Sequence, residues 1–139
     1  MILTERYSVK KQDYVNAGKV SSSIKRKLKE IGVDDSLIRR IAIASYEAEI
    51  NMIIHANGGV IDFSIDDNGV ITIVFKDDGP GIPDVELAMT PGYSTADDKA
   101  RELGFGAGLG LVNIKKYSDE FDLQTCPEST TITIKFIGK

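Results

Sequence analysis

A single cysteine, Cys126, is the whole thiol content of this 139-residue chain. It excludes an internal disulfide and a multi-cysteine metal site, and it makes a reducing compartment the expectation. No long uncharged apolar run is present, so no membrane-spanning helix is expected. The first residues, Met1-Ile2-Leu3-Thr4-Glu5-Arg6-Tyr7, lack a signal-peptide pattern, which points to a cytoplasmic location. An excess of basic charge is missing as well. The formal net charge is −4, which argues against an electrostatic grip on nucleic acid. Internal repeats and linkers are also absent, so residues 1–139 read as one domain.

Hydrophobic residues make up 42% of the chain, enough for one core. The charge is unevenly spread. Residues 1–46 carry ten Lys/Arg against five Asp/Glu, a balance of +5; residues 47–139 carry seven against sixteen, a balance of −9. An acidic half can still hold a polyphosphate when a divalent cation sits between them.

Taken in order, residues 2–9 alternate weakly and predict a short edge strand. A helix is expected from about Lys11 to Ile31, with Ala17, Val20, Ile24, Leu28 and Ile31 on one stripe and most lysines elsewhere. Its basic cluster reads as a solvated face. Gly32 suits its C-terminal cap, and Asp34 suits the N-cap of a second helix over 36–56. That second helix is apolar on most sides and is expected to be buried. Glu47, Asn51 and His55 interrupt it at intervals of four, nearly in line on one face. Polar groups on a buried helix cost free energy unless they find partners, so this row calls for a reason.

Asn57-Gly58-Gly59 ends the second helix. Two strands follow, over 60–65 and 70–75, joined by a hairpin turn at Asp67-Asn68-Gly69. The next stretch, Asp77-Asp78-Gly79-Pro80-Gly81-Ile82-Pro83, places a carboxylate and bare backbone at a strand end. Val85–Met89 allows a short helix. Residues 90–107 have little periodicity and read as a lid or binding loop. A helix over 108–117 and strands over 121–125 and 130–137 close the chain.

Three features recur along the sequence: Glu47-x-x-x-Asn51 on a helix, Asp77-x-Gly79-x-Gly81 after a strand, and Gly106-Ala107-Gly108-Leu109-Gly110 opening a helix. Backbone N–H groups at a glycine-rich helix start favour an anion. The third run is not a Walker A loop, because no Gly-Lys-Ser/Thr follows. It is not a dinucleotide fingerprint either, because no βαβ unit surrounds it.

In this order and spacing the three motifs resemble the GHKL family of ATP-binding domains over roughly residues 36–137. They are most similar to the small single-domain serine kinases that act as anti-sigma factors or stress-module switches. Gly81-Ile82-Pro83-Asp84 and the pair Thr130-Thr131 extend that likeness. The resemblance implies a two-layer α/β sandwich of the Bergerat type, with a mixed, mainly antiparallel sheet and helices on one face. It also implies ATP and Mg²⁺ as ligands.

The roles carried over follow the same resemblance. Asn51 is the Mg²⁺ ligand, since an amide oxygen suits a hard cation. Glu47 is the general base, one helical turn away. Asp77 accepts from the exocyclic amine of adenine, assisted by Thr130. Gly79, Gly81 and Ile82 lie on the base side, with Pro80 stiffening the loop. Gly106, Gly108, Leu109 and Gly110 cradle phosphate, and Gly104 is a hinge of the lid. Ser94, Thr95, Lys99 and Arg101 are the lid's hydroxyls and cations near the phosphates. His55 is expected to stabilise its helix end rather than accept phosphate, and Cys126 to be a plain strand residue. Glu49 is expected to point away from Glu47 and Asn51.

Two departures from the family pattern stand out. Ser129 replaces the glycine before the threonine pair, and the turn Cys126-Pro127-Glu128 is short. The function the resemblance implies is a serine/threonine protein kinase acting on a small antagonist protein. A sigma factor is an additional partner, and a homodimer through the N-terminal segment is implied as well. The alternative is a switch that binds ATP and gates a partner without phosphate transfer.

Overall fold

The tight turn at Asp66–Gly69 organises the first hairpin. Asp66 Oδ1 accepts from the backbone of Asn68 (2.9 Å) and Val70 (3.0 Å), and Gly69 takes a left-handed φ of 80°, which glycine adopts without a Cβ penalty. On either side run β2 (Gly58–Ile65) and β3 (Val70–Asp77). The structure, a computed structural model, describes residues 3–79, 81 and 110–137. The other elements are β1 (Leu3–Lys10), α1 (Lys19–Glu30), α2 (Asp35–Ile54), α3 (Gly110–Tyr117), β4 (Glu120–Cys126) and β5 (Ser129–Ile137).

The strands form one sheet in the order β1-β2-β3-β5-β4. Its four ladders are all antiparallel, so the mainly antiparallel sheet expected is found, without the mixed pairing, among the described residues. Strand periodicity of two decides which face is covered. Ile61, Phe63, Ile65, Ile71, Ile73, Phe75, Ile132, Ile134 and Phe136 are all buried. Their neighbours Asp62, Ser64, Thr72, Thr131 and Thr133 alternate to the other face and stay partly exposed. Helix α2 packs across β1, β2 and β3, and α3 packs on β4. The result is the two-layer sandwich the sequence implied. Three fully buried phenylalanines, Phe63, Phe75 and Phe136, anchor it, each worth about 1.5–3 kcal/mol of burial. Among the described residues no helix is long and apolar enough to cross a membrane.

Helix α2 is capped as its sequence predicts: Asp34 accepts from the backbone of Ser36 at 3.1 Å. It ends two residues earlier than expected, with His55 as the C-cap residue. Strand ends move outward by one or two residues. β3 runs through to Asp77 because Gly59 opposite has no Cβ; one there would lie 2.1 Å from the Lys76 carbonyl oxygen.

The first helix departs most from expectation. It starts at Lys19 rather than near Lys11, after a 3-10 turn at Tyr14–Asn16 and a left-handed Gly18 (φ 90°). The cause lies on α2. Glu49, 2% exposed, accepts from the backbone of Gly18 (3.0 Å), Val20 (3.4 Å) and Ser21 (3.0 Å). A carboxylate from a distant helix thus satisfies the orphan N–H groups of this helix start. Gly18 is needed there, since a Cβ would stand 3.2 Å from the Tyr46 ring. Ile31, placed on the inner stripe by sequence, is 51% exposed because α1 has already ended, and Val33 packs on the core beyond the cap.

Glu49→Ala should lower the unfolding free energy by about 1–2 kcal/mol near pH 4, the value of a lost cap, read by denaturant unfolding. Burial pushes the Glu49 carboxyl up, against the backbone donors of Ser21, Val20 and Gly18, which pull it down. A raised folded-state value means a contribution fully present below the unfolded value and lost as pH rises through the folded one. The gap between wild type and Glu49→Ala should therefore narrow from about pH 4 to pH 7; a gap that widens over that range contradicts this account.

Candidate functional site

Asp77 closes β3, where the strand gives way to the glycine turn. Its Oδ1 accepts two backbone bonds, from Gly79 (2.9 Å) and Thr130 (2.8 Å). Among the described residues no hydrogen bond falls on Oδ2. Burial pushes the carboxyl up; the Gly79 and Thr130 donors pull it down, and the neighbouring Asp78 adds an upward push. A half-buried carboxylate with one saturated oxygen presents the other as an acceptor for a ligand's donor. Thr130 is 2% exposed and reaches Asp77 through its backbone N–H. Its hydroxyl pairs with that of Thr125 at 2.8 Å.

Gly79 and Gly81 have a reason the sequence did not reveal. Both lie under the short turn between β4 and β5. A Cβ on Gly79 would stand 2.5 Å from the Glu128 carbonyl oxygen, and one on Gly81 would stand 1.7 Å from that of Cys126. The Gly81 N–H donates to the Pro127 carbonyl at 3.1 Å. On the other side the Gly79 carbonyl accepts from the Asn57 N–H at 2.7 Å, and the Asp78 N–H donates to the Gly58 carbonyl at 2.9 Å. Three backbone segments are thus stacked around Asp77. The Cys126-Pro127-Glu128 turn, which departs from the family pattern, is the surface on which the glycines rest.

Asn57 is also where the chain leaves α2. The C-terminal end of that helix therefore abuts the Asp77 turn, and Asn51 lies one turn back from the His55 cap. Glu47 stands one further turn back. Both side chains are partly buried. Burial pushes the Glu47 carboxyl up, and a hydrogen bond from the Asn113 side chain on α3 pulls it down. Glu49 faces α1 and takes no part in this row, as its helical phase implied. The α2–α3 contact is closed at its far end by Arg40. Its guanidinium donates to the Tyr117 carbonyl from Nε (3.2 Å) and Nη2 (3.1 Å) and to Asp119 at 2.7 Å. Arg40 also lies over the Phe136 ring, 5.8 Å from its centroid.

The structure brings Asp77, Gly79, Gly81 and Thr130 together where β3 ends, and the helix that carries Glu47 and Asn51 leads to the same turn through Asn57. Gly110 opens α3. Pro80, Ile82, Ser94, Thr95, Lys99, Arg101, Gly104, Gly106, Gly108 and Leu109 lie outside the described residues, as do the short helix and the lid assigned from sequence. Sequence reasoning missed Asn113 and Arg40. Asn113 had a signal: it is an amide set among Leu111, Val112 and Ile114 on a helix that packs inward.

Comparison with known proteins places this geometry in a family. Residues 11–136 match the histidine kinase-like ATPase domain. The serine/threonine-protein kinase RsbT of Bacillus subtilis is 34% identical over 100 residues, covering 70% of this chain and 69% of its own. An anti-sigma F factor of Caldanaerobacter subterraneus is 36% identical over 110 residues, covering 73% of this chain and 72% of its own. Among solved structures, the RsbU and RsbW domains of a Mycobacterium tuberculosis protein align over 94% of this chain, with a TM-score of 0.62 and 19% identity. This chain spans only 32% of that larger one. A structure of the SiaB–SiaC complex from Pseudomonas aeruginosa aligns over 97% of this chain and 89% of its own, with a TM-score of 0.59 and 12% identity. Those two likenesses speak for the fold. The family match runs across most of the chain, from within the first loop to the end of the last strand, and this protein belongs to the histidine kinase-like ATPase domain family.

Proposed function

We propose that this protein is an ATP-dependent serine/threonine protein kinase whose substrate is a small antagonist protein. The observation that carries the nucleotide half is the divided Asp77 carboxylate, with two backbone bonds on Oδ1 and none on Oδ2 among the described residues. Its partner would be the exocyclic amine of adenine; guanine carries a carbonyl there and offers no donor. The kinase half rests on Glu47 and Asn51 one turn apart and on relatives named as a serine/threonine-protein kinase and anti-sigma F factors.

The chain's own residues divide the work. Among the described residues no cluster of three His, Cys, Asp or Glu side chains could hold a metal. A single amide ligand suits an ion that takes its other ligands from water and phosphate. Asn51 would hold Mg²⁺ in that way, and the ion when bound offsets phosphate charge. Glu47 takes the proton of the attacking serine hydroxyl. The bond from the γ-phosphorus to the β–γ bridging oxygen breaks, a bond to the serine oxygen forms, and ADP leaves with the electron pair. Burial suits Glu47 to this, because a carboxyl pushed towards neutrality is the better base at working pH. Gly106, Gly108, Leu109 and Gly110 are assigned to the phosphates, and Ser94, Thr95 and Arg101 to the lid over them. A sigma factor as second partner, a homodimer through the N-terminal segment and a cytoplasmic location belong to the same proposal.

Asp77→Asn should weaken ATP binding by about 10- to 100-fold, the worth of a charged hydrogen bond, in calorimetry with Mg²⁺. The new amide can keep its oxygen on Gly79 and Thr130 while its NH₂ opposes the adenine amine, so the melting curve should change little. Glu47→Gln should retain ATP but lose about 10²–10⁴-fold in transfer from γ-labelled ATP to the antagonist protein. Phosphate transfer that survives both substitutions would falsify the site. ATP binding without any transfer in the wild type would favour the non-catalytic switch. The acid limb of the wild-type rate profile should lie above the ordinary glutamate range, because the base must be ionised and burial raises its value; a limb at or below that range counts against Glu47 as the base.

A further inference from the structure

Helices α1 and α2 pack with a furrow left open between them. One part, a cavity of about 320 Å³, has Ser22 and Lys25 on its α1 wall and Tyr46 and Glu47 on its α2 wall. A second part, of about 590 Å³, shares Ser22 and Tyr46 with the first and runs on to Val15, Lys19 and Arg26. The charge in this furrow is one-sided. Lys19, Lys25 and Arg26 are exposed and form no ion pair with the described residues, whereas their neighbour Lys27 is held by Glu5 at 3.0 Å. The basic cluster that the sequence offers as a solvated face is thus divided: Lys27 braces β1, and Lys25 lines the cavity that contains Glu47. Among the lining residues Glu47 is the one carboxylate. Glu49, two residues along α2, is buried and spent on the backbone of Gly18, Val20 and Ser21. Two exposed apolar side chains, Val15 (91% exposed) and Tyr46 (37%), border the same furrow. An open furrow of unpaired cations and exposed apolar groups suits an extended protein segment that carries carboxylates.

We propose that Lys25 is a specificity-determining residue for the protein substrate: it pairs with a carboxylate beside the acceptor serine and so selects acidic segments for the furrow that Glu47 lines. The inference rests on the reading of Glu47 as the proton acceptor for a protein hydroxyl, and it names the class of segment that brings the hydroxyl there. The two groups stand on opposite walls of one cavity, the cation on α1 and the base on α2. A segment lying between them can meet Glu47 with its hydroxyl and Lys25 with a neighbouring carboxylate. Lys19 and Arg26 extend the same sign of charge along the furrow, so further acidic residues are favoured and basic ones are disfavoured. Glu47 alone would repel an acidic segment; the unpaired lysine across from it offsets that repulsion.

The test uses short synthetic peptides that carry one serine flanked by Asp, by Ala or by Lys. Two readouts are taken on wild type, Lys25→Glu and Lys25→Gln. The first is the affinity of each peptide for the nucleotide-free protein, with the amide NMR shifts it causes; the second is phosphate transfer from γ-labelled Mg·ATP to the serine. Wild type should bind the Asp peptide about fivefold more tightly than the Ala peptide, with shifts at Ser22, Lys25 and Tyr46, and the Lys peptide least. Transfer should follow the same order. Lys25→Glu should reverse the order and Lys25→Gln should level it, while Mg·ATP affinity stays at the wild-type value, since Lys25 has no part in the nucleotide site. Lys25→Gln carries the test should charge reversal disturb the fold. Equal binding of the Asp and Ala peptides overturns the proposal, as does a preference that Lys25→Glu leaves unchanged, or shifts that bypass the furrow. Occupation of the furrow by phosphatidylserine vesicles and by no peptide also overturns it. So does self-association of the wild type that Lys25→Glu abolishes, which would assign the furrow to a second copy of this chain. An Asp preference in binding without transfer to any peptide leaves the furrow assignment standing and counts against the kinase reading; transfer without an Asp preference does the opposite.

Discussion

One oxygen of Asp77 ties two segments of the fold together, and among the described residues the other accepts no hydrogen bond. Oδ1 binds the backbone of its own turn at Gly79 and of β5 at Thr130. The Thr130 hydrogen bond holds the end of β3 against the neighbouring strand, where Lys76 and Thr131 are the last paired residues. The glycines make the arrangement possible, since the β4–β5 turn passes within a Cβ's reach of both Gly79 and Gly81. A carboxylate fixed by backbone donors is held in one orientation. Under the proposed role of Asp77, the cost of ordering it falls on folding and not on ligand binding.

Helix α2 leads to this turn through Asn57. Its two sides do different work within one turn. Glu49 turns into α1 and caps it, while Glu47 lines the rim of the groove between α1 and α2. The alternation follows from the 100° step of a helix, which turns residues two apart to nearly opposite sides. Three acidic or amide groups can therefore sit close in sequence on a buried helix without competing for partners. Glu49 and Glu47 have distinct environments: backbone amides of α1 for Glu49, and the rim of the α1–α2 groove for Glu47. The free-energy cost of burying polar groups is offset separately at each one.

Much of the fold was legible in the sequence because the covered face of the sheet repeats every second residue. Ile132, Ile134 and Phe136 against Thr131, Thr133 and Lys135 is a pattern with one reading. The Asp67-Asn68-Gly69 turn and the Asp34 cap were equally local. The start of α1 was not. Its stripe of Ala17, Val20, Ile24 and Leu28 continues helical spacing, and nothing nearby in sequence stops the helix at Gly18. The stop comes from Glu49, about thirty residues away, and only tertiary packing reveals it. In the candidate site, Glu47, Asn51 and Asp77 were singled out by motifs that resemble a known family. Asn113 was not, because its partner lies on another helix and no spacing rule links them. Gly79 and Gly81 were seen but given one reason, approach to a base. The packing of the β4–β5 turn supplies a second, which only the close contacts of backbone to backbone make visible.

The most direct measurement is the ratio of ATP to GTP affinity for the wild-type protein, by calorimetry in Mg²⁺. If the free oxygen of Asp77 reads the adenine amine, ATP should bind about 100-fold or more tightly than GTP, since a buried acceptor facing a carbonyl is left unpaired. Equal affinities for the two nucleotides would contradict the account.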